Sequence, residues 1–161
     1  MKEIFLALLT LLSINLSAQD YFQQEVNYTI DVELNDENHT FKGMVYIDYT
    51  NNSPNDLGFI WFHLWPNAYK DNTTALAKQK LADGSTSLYY ATEEERGFIN
   101  GLDFKVNGEK VRWDYHPEHI DICKLLLNKP LKVEQSIRIS TPFFVKIPDA
   151  KFSRLGHIDQ S

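Results

Sequence analysis

Between residues 26 and 49 the chain alternates apolar and polar side chains with a period of two, and this pattern limits what it can fold into more than any other. Val26, Tyr28, Ile30, Val32 and Leu34 alternate with Asn27, Thr29, Asp31 and Glu33. Successive side chains on a strand point to opposite faces, so five apolar groups share one face and the polar groups the other. On a helix the same spacing would scatter them around the axis. Asn35-Asp36-Glu37-Asn38 supplies turn residues, and Phe41, Val45, Ile47 and Tyr49 resume the alternation. The two segments predict an antiparallel hairpin of half-buried strands with a four- or five-residue loop.

Further strands follow. Leu57 to Trp65 is a dense apolar run and predicts a buried, central strand. Pro66 ends it, because proline cannot donate to a ladder. Thr73 or Thr74 caps a short helix through Ala75–Leu81, with Gly84 beyond its end. Residues 85–96 are polar and acidic and predict a loop. Phe98 to Val106 and Glu109 to Tyr115 flank Asn107-Gly108, the strongest hairpin signal in the chain, because both turn positions favour positive φ. In the second of these strands Val111, Trp113 and Tyr115 share a face. His119 to Leu127 and Gln135 to Val145 complete seven strands, joined by a loop at Asn128-Lys129-Pro130-Leu131. The predicted fold is all-β: a curved antiparallel sheet or β-sandwich-like domain with one short helix. An aromatic content of 13%, with only 7 glycines in 161 residues, agrees with strands over helices.

The first 18 residues stand apart. Lys2 precedes an apolar run from Ile4 to Leu12, continued by Ile14 and Leu16, and Ala18 offers a small residue for cleavage. This grammar predicts a secretory signal peptide over residues 1–18 and a single domain over 19–161, exported to the periplasm or the extracellular space. A membrane anchor is the alternative, but the run is short and polar residues follow at once. The net charge of −6 argues against nucleic acid or an anionic membrane as the main partner. A single cysteine excludes an internal disulfide framework.

A search for catalytic groups finds no H-E-x-x-H zinc helix, no G-x-S-x-G elbow and neither of the glycine-rich phosphate loops. His116-Pro117-Glu118-His119 has the wrong spacing for a zinc helix, and Pro117 forbids one; it reads as a turn between strands. His63 reads as a hydrogen-bonded core histidine. Cys123 lies in an alternating strand and reads as a buried thiol. Glu93-Glu94-Glu95 reads as a solvated loop. From residue chemistry alone, therefore, no catalytic, cofactor or metal residue is assigned.

One set of segments points further. Tyr49-Thr50-Asn51-Asn52-Ser53-Pro54 and Phe62-His63-Leu64-Trp65-Pro66-Asn67-Ala68-Tyr69 resemble the amino-terminal domain of exported bacterial aminopeptidase N-type zinc metallopeptidases. Tyr28-Thr29-Ile30-Asp31-Val32, Phe41-Lys42-Gly43, Pro130-Leu131, Ile147-Pro148 and Ser153-Arg154-Leu155-Gly156 fit the same pattern, so the resemblance spans residue 21 to the end. It implies a curved β domain docked on a thermolysin-like catalytic domain that follows it and carries G-x-M-E-N and H-E-x-x-H. There, zinc would polarise the peptide carbonyl and activate water. Neither motif occurs in these 161 residues, so no catalytic residue transfers, and the resemblance implies a reading frame that continues past Ser161. The family's substrate-contacting glutamine is expected just beyond this end and is not Gln160.

The resemblance thus implies a non-catalytic scaffold of a secreted peptidase. Its partners would be its own downstream domain and, through the whole protein, peptide substrates; zinc would sit in the missing domain. Trp61, Trp65 and Tyr69 are the candidate docking residues, set against the simpler expectation that Trp61 and Trp65 fill the domain's own core. A rival function is a secreted carbohydrate-binding or adhesive module, in which exposed coplanar rings would stack on sugars. A stand-alone structural domain is the third possibility.

Overall fold

A computed structural model describes residues 21–158; the expected signal peptide lies outside the described residues. Strands β1 (Glu25–Asn35) and β2 (Thr40–Thr50) form the anticipated hairpin. Its four-residue turn is closed by Asn35 Oδ1, which accepts from the Asn38 amide at 3.0 Å, and by His39 at φ 51°. Pairing runs unbroken from Glu25↔Thr50 to Asn35↔Thr40. Gly43 lets the strands close up: a Cβ there would lie 2.0 Å from the Asp31 carbonyl oxygen. Strands β3 (Leu57–His63), β4 (Phe98–Asn100), β5 (Lys105–Val106), β6 (Glu109–Lys110), β7 (Trp113–Tyr115), β8 (Ile122–Leu131) and β9 (Ser136–Lys146) complete the set.

The strands make two antiparallel sheets. The larger runs β1-β2-β9-β5-β6, with β4 also paired to β9; the smaller runs β3-β8-β7. Between them lies a core of Ile47, Ile60, Leu64, Phe104, Val111, Cys123, Leu125 and Ile139. The domain is an all-β sandwich with one short α-helix, α1 (Ala75–Ala82). Thr74 is the residue that caps it: its Oγ1 accepts from the Ala77 amide at 3.1 Å and donates to the Ala68 carbonyl at 2.8 Å. No described helix is long and apolar enough to cross a membrane.

Four expectations need correction. The run Leu57–Trp65 is not one central strand. β3 stops at His63 and is an edge, paired only with β8, and Phe59 and Trp61 are 43% and 46% exposed. Leu64 turns away to donate its amide to the Asp121 carbonyl, and Trp65–Tyr69 winds into a 3-10 turn with Pro66 near its start. The segment Glu109–Tyr115 is divided between sheets: β6 belongs to the larger and β7 to the smaller, with buried Val111 at the crossing donating its amide to the Phe104 carbonyl. Such corners are how one chain serves both layers of a sandwich. Asn128–Leu131 is not the loop before the last strand; β8 continues through it. Leu57 faces Leu131 while Phe59 faces Leu126, so β8 bulges where Pro130 has no amide to give. Phe98–Val106, lastly, is interrupted at residues 101–104.

Two buried asparagines tie the loops to the sheets. Asn51, fully buried, accepts from the amide and hydroxyl of Ser53 and donates to the carbonyls of Asn55 and Leu131. Asn67, 2% exposed, donates to the Ile120 carbonyl at 3.0 Å and accepts from the Ile99 amide at 3.0 Å. It thereby joins the 3-10 turn to β4 and to the β7–β8 connection.

Candidate docking site

Register places Tyr28, Ile30 and Val32 of β1 opposite Ile47, Val45 and Gly43 of β2, which in turn face Ile139, Thr141 and Phe143 of β9. All of these residues belong to one face of the larger sheet. Where the smaller sheet lies over it, that face is sealed: Ile47, Ile139 and Thr141 are at most 4% exposed. The smaller sheet does not reach β1. Tyr28, Ile30, Val32 and Leu34 remain 61%, 55%, 60% and 63% exposed. The alternation identified the apolar face of β1 correctly, but this strand is not half-buried, because the other layer stops short of it.

A groove of about 770 Å³ runs along this uncovered floor. Its far wall is the end of β3 and the start of the 3-10 turn, from Trp61 to Pro66. Among the described residues, no Asp, Glu, Lys or Arg lines it. Trp65, 64% exposed, stacks on His63 with ring centroids 4.6 Å apart and planes 8° apart. Trp61 meets Phe59 edge-on at 6.0 Å and 78°. The Lys124 ammonium lies 3.9 Å from the Phe59 ring centre and 5.4 Å from that of Trp61.

Of the three candidate docking residues, Trp61 and Trp65 both border the groove, Trp65 stacked on His63 and Trp61 with its ring against Phe59, His116 and Lys124, and neither fills the core, contrary to the simpler expectation. Tyr69 does not join them. It is partly buried and lines a small cleft beside α1 with Leu76 and Leu88. The β1 stripe, not singled out from the sequence as a docking surface, contributes four exposed apolar side chains, Tyr28, Ile30, Val32 and Leu34. Its alternation named the apolar face but carried no signal of what lies over it.

His63 is exposed at the groove and is not a core histidine. His116 and His119 come within 4.8 Å, ring centre to ring centre, in the β7–β8 connection, where His116 Nδ1 accepts from the Glu118 amide. Among the described residues, no group of three or more His, Cys, Asp or Glu side chains is placed to hold a metal ion. Cys123 is fully buried, and burial pushes its thiol up to about 11, away from the thiolate form that attacks or ligates. Comparison with protein-family models found no match to this chain, and a search of curated proteins found none.

Proposed function

We propose that residues 19–161 are the non-catalytic amino-terminal scaffold domain of a secreted zinc aminopeptidase. The uncovered face of the larger sheet seats the catalytic domain and helps wall its peptide cleft. The observation that carries this reading is the groove itself: an apolar floor and an aromatic wall, with no charged lining, the composition of a domain–domain core rather than of a solvated surface. The resemblance of Phe62–Tyr69 and Tyr49–Pro54 to the peptidase family supplies the identity of the partner. Zinc and the attack on the peptide belong, on this reading, to the following domain. The part of this chain is to bury Tyr28, Ile30, Val32 and Trp65 and to fix the orientation of the cleft wall. Export by the signal peptide of residues 1–18 delivers the protein to the periplasm or the medium.

The test is the natural reading frame beyond Ser161 and the protein it encodes. The expected outcome is G-x-M-E-N followed by H-E-x-x-H, one zinc per full-length chain, and cleavage of an aminoacyl reporter that is weakened by Trp65→Ser. A reading frame without the zinc helix would reject the proposal.

The exposure of Phe59, Trp61 and Trp65 favours a second reading, a carbohydrate-binding module. Against it, Phe59 and Trp61 are nearly perpendicular and offer no flat platform for a sugar. Quenching of tryptophan fluorescence by soluble polysaccharides, lost in Trp61→Ala, would favour this alternative.

A further inference from the structure

We infer that the free edge of β1 pairs with the β1 edge of a second copy of this chain, joining two larger sheets into one continuous sheet. The contact uses the backbone edge of β1, not the sheet face assigned above to a following domain, and stands or falls separately.

Among the described residues, β1 pairs only with β2, so the backbone amides and carbonyls along its outer side have no strand partner. Natural proteins blunt such edges with short strands, prolines, lysines or bulges. β1 has none of these: it is eleven residues long, contains no Pro or Lys, and keeps one register throughout, and its charges, Glu25, Asp31 and Glu33, all lie on the face away from the apolar stripe. The other described sheet edges are blunted. β6 has two residues, β4 and β7 have three each, and β3 contains Gly58 and a register shift. An edge left open only at a strand of eleven residues is suited to strand addition.

Charge selects the partner and the register. A two-fold axis normal to the sheet makes β1 antiparallel to its copy and keeps both apolar stripes on one side. Centred on Ile30, it places Ile30 opposite Ile30, Tyr28 opposite Val32 and Val26 opposite Leu34. On the other side Asp31 faces Thr29, Glu33 faces Asn27 and Glu25 faces Asn35, so every carboxylate meets a neutral polar group. Neighbouring registers do not allow this. Centring on Asp31 opposes it to itself, on Val32 sets Asp31 against Glu33, on Thr29 sets Glu25 against Glu33, and on Tyr28 sets Glu25 against Asp31. Like charges directly opposite destabilise a sheet. Of the registers centred from Tyr28 to Val32, only this one keeps like charges apart, and it alone pairs all eleven residues, which favours a second copy over an unrelated strand.

The test is register-specific cross-linking of the full chain. Cys123 is buried and silent, so an introduced cysteine reports alone. Residues directly opposite lie within disulfide reach. Ile30→Cys is expected to convert monomer into a disulfide-linked dimer under mild oxidation. Leu34→Cys is expected to form no intermolecular disulfide alone and to cross-link when mixed with Val26→Cys. Ile30→Asp, a change at a half-exposed position, is expected to shift sedimentation from dimer to monomer with the melting curve still cooperative. Equal cross-linking of Ile30→Cys and Leu34→Cys would overturn the inference, since it would mean association without register. So would an Ile30→Cys variant whose introduced thiol is freely alkylated with no dimer, or is shielded within a monomer by another part of the chain.

Discussion

Asn51 and Asn67 show how single side chains hold this fold. Each is buried with both ends of its amide engaged by backbone or Ser53. Replacing one by alanine leaves backbone groups without a partner, and each orphaned buried group costs about 1–3 kcal/mol. Asn67→Ala removes both the donor to Ile120 and the acceptor from Ile99, so we expect a loss of about 2–4 kcal/mol in urea unfolding. Asn52→Ala, at an exposed neighbour, should change stability far less. Cys123 gives a second residue-level expectation. Its thiol is raised by burial from near 9 to about 11. The unfolded chain releases this proton first, so stability from this group is intact below about pH 9 and falls as pH rises towards 11. Stability measured against pH should decline more gently over this range in Cys123→Ala than in the native chain, the remainder coming from the tyrosines Tyr49 and Tyr115 that burial also raises, and native Cys123 should resist alkylation until the chain unfolds.

The elements most legible in the sequence were those whose signals are local. Asn107-Gly108 forms its turn with φ of 51° and 85°, and Asn107 is further fixed by accepting from the Arg138 amide and donating to its carbonyl. A Cβ at Gly108 would meet nothing within 4 Å. The cost of Gly108→Val is therefore backbone strain alone, about 1–2 kcal/mol or somewhat more for a β-branched residue, read as a melting temperature lower by several degrees. Gly108→Asn should cost much less. The cap on α1 and the β1–β2 hairpin were equally readable, because capping oxygens and period-two alternation act within a few residues. The misread elements depend on distant partners. The apolar run at Leu57–Trp65 could not reveal that only β8 pairs with it, nor that the Leu64 amide is drawn to Asp121, far along the chain. Likewise, β8 passes through Pro130 because Leu57 and Phe59 tolerate a bulge opposite it, a condition set in another part of the sequence.

At the scale of the whole molecule the two layers are unequal, and the candidate site is a consequence of that mismatch. Alternation reveals which face of a strand is apolar but not what lies over it, so the groove was legible only in part: the aromatic wall could be nominated, the β1 floor could not. The uncovered floor leads to a measurable contrast between two positions on one face. Ile139 is fully buried beneath the smaller sheet, and Ile139→Ala should cost about 2–5 kcal/mol through lost burial and the cavity left behind. Ile30 and Val32 lie two strands away on the same face, yet are 55% and 60% exposed. Changing both to threonine removes little buried apolar contact, so the chain at monomeric dilution should lose no more than about 1 kcal/mol. The same double variant should show a marked drop in the fluorescence of a hydrophobic dye such as ANS, because it makes polar the floor on which the dye settles. In a protein where a second domain covers that floor, the positions become core, and the double change should then destabilise the whole by several kcal/mol. A large loss in the isolated chain, or dye binding unchanged, would show that the floor is already covered or that the dye sits elsewhere, and would remove the physical basis for docking at this face.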